Sequence, residues 1–324
     1  MNRSARIGLL AATVVGLGVA VASVGRVGLA PVLMAMGSIG WVGMATFVAW
    51  SLGVLTLLGL AWSAVARGQP QARFGLFVWA RTTREAAADV LPFSQLGGVV
   101  VGARTLATAG VPEPVIYASM IADLTTEMAG QLLFTLGGVA VLLLVLMHAP
   151  VQAGLVPLAL GGLAAMVALT AAFVFAQKPV LKLAGLIGAR MLPGSVAATD
   201  AIRAELDAVY REPKRLILSF LYNLAAWFAS AAGAWVALAF MGSAMPLWAV
   251  LTVEALIFTL RSVAFAIPGA LGVQEAAYVL VGPLFGLPPD QALALSLLKR
   301  ARDVIIAVPA LILWQIGEAR AVAS

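Results

Sequence analysis

Long apolar runs separated by short polar punctuation dominate the chain, and their lengths predict membrane-spanning helices. Ile7–Val24, Trp41–Ala64, Pro114–Met147, Val151–Ala176, Ile217–Met241 and Pro289–Ile316 each approach or exceed the ~20 residues needed to cross a hydrocarbon core ~30 Å thick. Lipid offers no partners to backbone N–H and C=O groups, so runs of this length are expected to be helical. Gly28–Gly40 is short and broken by Gly and Pro, which places it at the far interface. Met1 to Arg6 followed by Ile7–Val24 imitates a secretory signal, and Ala20-Val21-Ala22 offers a small-residue cleavage pattern. The run is longer than the ~7–15 apolar residues of a signal core, which favours a retained first helix.

Two further elements are interrupted. Phe74–Val90 and Ser94–Ala109 flank Pro92, while Pro246–Ile267 and Ala270–Phe285 flank Pro268-Gly269. Neither arm of the first element spans comfortably alone, so re-entrant helical hairpins tipped at these Pro and Gly residues are expected. Their punctuation repeats. Leu91-Pro92 and Gly110-Val111-Pro112 recur as Ile267-Pro268 and Gly286-Leu287-Pro288 at a constant displacement of 176 residues, and Glu127 falls on Asp303. Chance is the competing explanation in a chain with 32 Gly and 16 Pro. Breaks at matching positions in two halves are the best sequence pointer to a transporter's binding site.

Composition agrees with the pattern. The chain of 324 residues is 62% hydrophobic and only 10% charged, against about a quarter charged in soluble domains. The net charge of +6 resides mostly in loops and helix ends, where it orients the protein and meets lipid headgroups rather than nucleic acid. Gln177–Arg215 is the substantial polar segment. Pro179–Leu192 is amphipathic and expected at the membrane surface, and Thr199 is a candidate N-cap ahead of Ile202, Leu206 and Val209. Basic residues place both termini and the 177–215 segment in the cytoplasm. Counting spans then makes the two units inverted, whereas a full crossing by Pro246–Ile267 would make them parallel. The fold expected is an all-α, polytopic transmembrane helix bundle with two Pro/Gly-tipped re-entrant helical hairpins in an inverted repeat. It forms a single domain over 1–324, with repeat units at about 74–147 and 246–316 and a cytoplasmic connector at about 177–215.

Intramembrane ionisable residues are costly and are functional candidates by default. Arg81, Glu85 and Asp89 form an i, i+4, i+8 stripe with Arg84 beside it, and Asp123, Glu127 and Gln131 form a second. Lys299 and Asp303 repeat the spacing and are expected to pair, with Arg300 and Arg302 adjacent. Gln95, Arg104, Arg261, Gln274 and Glu275 complete the candidate substrate-binding set. Gly97, Gly98 and Gly272 join Pro92, Pro268 and Gly269 as candidate turn or close-packing positions. Arg81, Arg84 and Glu85 have an alternative place at the cytoplasmic interface. With no Cys and a lone loop His148, the usual N/S metal ligands are lacking. No cofactor and no catalytic constellation are expected, and Ser94 has no His to activate it.

Leu91-Pro92-Phe93-Ser94-Gln95-Leu96-Gly97-Gly98, Gly102-Ala103-Arg104, Asp123 and Glu127 resemble the hopanoid-associated membrane protein HpnL family. Pro268-Gly269-Ala270-Leu271-Gly272-Val273-Gln274-Glu275 resembles the Pro-x-Gly-Gly-x-Gly-x-x-Glu pattern of the wider superfamily, with Ala270 where Gly is usual. That superfamily includes the lipid-flipping transmembrane region of lysylphosphatidylglycerol synthases. The resemblance implies a bacterial inner-membrane, multi-pass lipid transporter or flippase rather than an enzyme. Its implied partners are membrane lipids, either hopanoid or anionic phospholipid, together with hopanoid biosynthesis or transport proteins. Ending at Ser324, the chain leaves no room for the aminoacyl-transfer domain of the synthases. Two rivals stand beside this reading. One is an intramembrane enzyme that uses Asp123, Glu275 or Asp303 as acid or base on a hopanoid intermediate. The other is a structural partner of hopanoid synthesis enzymes.

Overall fold

A computed structural model describes residues 29–70, 73–90, 94–148, 195–263 and 272–323, with scattered helical positions between 160 and 179. The first half contains α1 (Leu29–Ser38), α2 (Gly40–Val65), α3 (Phe74–Val90), α4 (Ser94–Thr108) and α5 (Glu113–His148). The second contains α6 (Ser195–Tyr210), α7 (Pro213–Phe240), α8 (Leu247–Val263), α9 (Val273–Val281), a 3-10 turn at Gly282–Phe285 and α10 (Pro289–Ala323). The described residues are helical and contain no strand, as the apolar runs require. The expected Ile7–Val24 helix, the tips at Pro92, Pro268, Gly269 and Ala270, and most of Val151–Ala176 and Pro179–Leu192 lie outside the described residues.

Three helices among the described residues are long and apolar enough to cross a membrane: α2, the Glu113–Leu144 part of α5, and α7. Helix α10 is comparably long at 35 residues, but Lys299, Arg300, Arg302 and Asp303 dilute its apolar character. The protein is thus a membrane protein whose last helix carries an unusual internal load of charge.

Helices α2 and α7 pack together along their lengths and form the frame. Trp50 Nε1 donates to the Ala229 carbonyl at 2.7 Å, fixing their crossing near mid-length. On its other side α2 receives α3 at Gly59. A Cβ there would lie 2.4 Å from Val78 Cα, so the close approach requires glycine. Helix α3 then packs on α4 and α10, while α8 packs on α5 and α7.

Two apolar clusters mark the ends of this frame. One gathers Val65 and Ala66 at the end of α2 with Leu106, Val111, Ile116, Leu206 and Val209. The other gathers Ile39, before α2, with Met241, Met245, Leu287, Ala292 and Val139. A helix of 26 residues such as α2 is about 39 Å long at ~1.5 Å per residue. The turns at Gly110 and Gly286 therefore sit at opposite ends of the molecule. Both glycines have positive φ, 78° and 86°. Each closes a helix end in the Schellman manner: Gly110 N–H donates to Ala107 and Val111 N–H to Leu106, as Gly286 does to Pro283 and Leu287 to Gly282. The next bond, Ile116 to Pro112, recurs as Ala292 to Pro288. Every donor and acceptor in the second set is the first displaced by 176 residues.

The connector corrects one expectation. Helix α6 begins at Ser195, so Thr199 lies inside it and is not its N-cap. Ala197 and Ala198 are strong helix formers and carry the helix back beyond Thr199. Leu206 and Val209, at the expected spacing, are buried against α5. Tyr210 Oη donates to Gln177 Oε1 at 2.7 Å, and Gln177 Nε2 to Thr125 Oγ1 at 2.8 Å, tying the connector to α5. Arg67, beyond α2, donates to Glu212 at 2.6 Å and pairs with Glu205 at 3.2 Å. The hydrogen bond from Arg67, then that from Arg215, hold the exposed Glu212 carboxyl below the usual carboxylate range.

Replacing Gly59 by Ala should force α2 and α3 apart and lower stability by about 1–3 kcal/mol, the usual cost of overpacking. Gly53→Ala, with nothing within 4 Å of its added Cβ, should cause no loss. Thermal unfolding of the two purified variants checks the contrast.

Candidate functional site

The frame encloses a cavity of about 550 Å³. Its walls come from mid-length segments of the two framing helices, Trp50–Leu58 of α2 and Ala226–Ser230 of α7, together with α3, α5, α8 and α10. A cavity midway along helices long enough to span a membrane is expected deep in the apolar slab, yet ionisable side chains from four helices line it. Water or polar ligand must supply what lipid cannot at this depth.

On the α3–α5 side the wall is organised by Arg81, which is fully buried. Its Nη1 donates to Asp123 Oδ2 at 2.9 Å and its Nη2 to Glu127 Oε1 at 2.6 Å. Its Nε lies 2.9 Å from Glu85 Oε1, one helical turn along. Arg84 stands behind the same carboxylates at 3.5–3.8 Å. Asp123 is held from the other side by Asn223 Nδ2 at 3.2 Å, and Asn223 also reaches Thr126, which bonds Ser219 at 2.7 Å. The α7 helix thus braces the ion cluster through a chain of polar groups.

A second cluster occupies the α8–α10 side. Lys299 Nζ donates to Glu254 Oε2 at 2.5 Å and to the Tyr278 hydroxyl at 3.0 Å, and that hydroxyl donates to Glu254. All three residues are buried, and the ammonium sits 5.2 Å from the Phe258 ring centroid. Phe258 also meets Trp227 edge to face, with ring centroids 4.6 Å apart, and both rings line the cavity beside the charged clusters.

The structure brings many of the expected residues to this one cavity. Arg84, Glu85, Asp89 and Glu127 line it with Gln131, and Arg261, Lys299, Arg302 and Asp303 line the facing wall. Arg81 and Arg84 are buried in this wall, and Glu85 lies at its more accessible edge. Asp123 is sealed behind it, with no exposed surface. Other candidates lie elsewhere. Arg104 is exposed, its side chain 56% accessible, and pairs with Glu318 near the end of α10. Gln274 is buried against Ser296 at 2.9 Å. Glu275 accepts the Gly272 N–H at 2.8 Å as an N-terminal cap for α9, and Arg300 pairs with it at 2.5 Å. Gly98 and Gly102 admit the backbone and side chain of Arg84 into the α3–α4 contact, and Gly97 precedes them on α4. Gln95 lies in the first turn of α4.

The expected Lys299–Asp303 pair is not formed. Lys299 turns to Glu254, and Asp303 pairs with Arg302 beside it. A buried carboxylate on α8 gives the buried Lys299 ammonium the counter-charge that offsets its desolvation, whereas Asp303 keeps 28% of its side chain accessible at the cavity. Glu254, Tyr278 and Asn223 escaped the sequence reading. Glu254 shares a helical face with Phe258 and Arg261 at i+4 and i+7, and that spacing was the available signal. Asn223 had none beyond its polarity within an apolar run.

Among the described residues no group of three His, Cys, Asp or Glu could hold a metal ion. What the arrangement offers is a set of charged groups around a space of about 550 Å³. Glu254→Gln should leave Lys299 buried without its counter-charge and cost ~3–5 kcal/mol. Adding Lys299→Met to that variant should restore much of the loss. Thermal unfolding of the single and double variants reads this directly; unchanged stability of the single variant would mean that the pair is hydrated.

With fold and cavity in view, comparison with known proteins gives one result. Searches of curated proteins and of solved structures returned no match. The sequence model of the lysylphosphatidylglycerol synthase TM region matches residues 7–310, nearly the whole chain. The long apolar helices and the charged interior fit a transmembrane domain of that kind, and the chain belongs to the lysylphosphatidylglycerol synthase TM region family.

Proposed function

We propose that the protein is an inner-membrane lipid transporter or flippase that moves lipids through the central cavity, with hopanoid-type lipids as cargo. The observation that carries this reading is a cavity at mid-depth, walled by ionised side chains from four helices and flanked by long apolar ones. Fixed charges stand in for water around a polar headgroup, which lowers the cost of carrying it across hydrocarbon. The apolar body of the lipid stays outside among exposed residues such as Phe228 and Ile305.

An inverted repeat gives the movement. Turns with the same hydrogen bonds at a 176-residue displacement, at opposite ends of the frame, support it. The packing is exchanged in the same sense: α3 of one unit meets α10 of the other, and α8 meets α5. Near-symmetric halves can adopt two arrangements related by a pseudo-two-fold axis in the membrane plane, exposing one site to each face in turn. In this reading the re-entrant hairpins form the moving walls and the Arg67–Glu212 end faces the cytoplasm. The family membership supports lipid as the cargo class, and the motif around Pro92 supports a hopanoid. The protein moves its cargo without chemical change.

Purified protein in vesicles carrying a fluorescent lipid in both leaflets tests the proposal, with a membrane-impermeant quencher added outside. Complete quenching, against about half in protein-free vesicles, is expected, and Glu127→Ala should slow it. Quenching that stops at the protein-free level, or chemically altered lipid, would overturn the reading.

A further inference from the structure

The charges of the cavity wall do not balance on the α3–α5 side. Arg81 and Arg84 face Glu85, Asp123 and Glu127, which is three carboxylates on two guanidiniums. Among the described residues, the other cations that line the cavity do not correct this. Lys299 on α10 is committed to Glu254 of α8, and Arg302 on α10 to Asp303. Arg261 on α8 and Asp89 of α3 also line the cavity, one charge of each sign, and so leave the surplus unchanged. Helix α7 contributes only the neutral Asn223 and Ser219.

Four buried atoms in and beside the cluster lack hydrogen-bond partners: Arg81 Nε, Arg84 Nη1, Glu127 Oε2 and Asn223 Oδ1. Arg84 is only 4% exposed, yet its Nη1 has no hydrogen-bond partner. Glu127 Oε2 is likewise buried without a partner, 3.6 Å from Arg84 Nη2. Asp123, in contrast, accepts on both oxygens, from Arg81 and from Asn223. A surplus negative charge beside unmet hydrogen-bonding capacity is expensive at mid-depth. A proton removes the surplus and gives a carboxyl oxygen a hydrogen to donate.

We propose that the Arg81–Arg84–Glu85–Asp123–Glu127 cluster is a proton-binding site, and that loading and releasing its proton is coupled to movement of the cargo. The proton belongs to the cluster rather than to one residue, because groups this close titrate together. It enters from the water of the cavity when that opens to one face and leaves by the same cavity when it opens to the other. The coupling half of this inference rests on the lipid-transport reading; the proton-binding half does not.

Infrared spectroscopy of the purified protein in lipid, titrated with acid and base, separates the two. A protonated buried carboxyl has a carbonyl stretch apart from that of a carboxylate. Wild-type protein should show it, titrating reversibly, and Glu127→Gln and Asp123→Asn should lack it, because either substitution balances the cluster without a proton. Glu85→Gln, at the more accessible edge, serves if those two do not fold. Absence of the band in wild type, or its persistence in all three variants, would overturn the site. In vesicles, a pH difference of one unit should shift the steady-state lipid distribution by up to about tenfold for one coupled proton. That response should vanish in Glu127→Gln. A normal band with lipid exchange indifferent to the gradient would overturn the coupling alone, and a normal band without any lipid exchange would count against the transport reading.

Discussion

The Arg81 guanidinium, locked between α3 and α5, is the interaction on which the interior depends. It is fully buried and bonds Asp123 and Glu127 from one side while Glu85 closes on it from its own helix. Helix α3 is too short and too polar to be held in the membrane by its own apolar surface. Seventeen residues long and carrying Arg81, Arg84, Glu85 and Asp89, it is stable there only because its charges meet those of α5. That requirement fixes which faces of α3 and α5 point inward. A polar space at mid-depth follows from it, since the charges on two helices cannot all be mutually buried. Gly59, Gly98 and Gly102 let the neighbouring helices close around the cluster.

The opposite wall solves the same problem with the signs exchanged. There the anion Glu254 sits on α8 and the cation Lys299 on α10. In the proposed repeat, Lys299 occupies the position of Asp123, so each unit would tie its first helix to its third by buried ion pairs of opposite polarity, Arg81 with Asp123 in one and Glu254 with Lys299 in the other. Each tie lies within a unit. The cavity lies between units, where Arg261 and Asp89 face one another across it. Two units that meet around a polar cavity would suit an alternating mechanism, because movement there need not break the buried ion pairs within each unit.

Much of the fold was legible in the sequence for simple reasons. Apolar run lengths give α2 and α5 to within a residue and α7 apart from its polar first turn at Pro213, and the Gly-x-Pro turns at 110–112 and 286–288 announce themselves by positions that favour glycine. The cavity was half legible. Charges at i, i+4 spacing on α3 and α5 identify one wall, because the period alone puts them on one face. Partner choice was not legible. Lys299 and Asp303 share a helical face, but the deeper carboxylate Glu254 wins the ammonium, and that competition depends on how α8 crosses α10. The same holds for Arg104 and Glu275. Both belong to polar motifs, yet one lies on the outer surface with Glu318 and the other caps α9. Spacing along one helix cannot report a crossing between two.

The central claim is that one mid-depth cavity communicates in turn with both faces of the membrane. The chain contains no cysteine, so a single Ser230→Cys substitution places a unique probe on the α7 wall of the cavity. Labelling by a small membrane-impermeant thiol reagent, applied to sealed vesicles of known orientation from one side and then the other, is the most direct measurement. The account predicts that the same residue reacts from either side, each time to completion. Reaction from one face alone, or from neither, would contradict it.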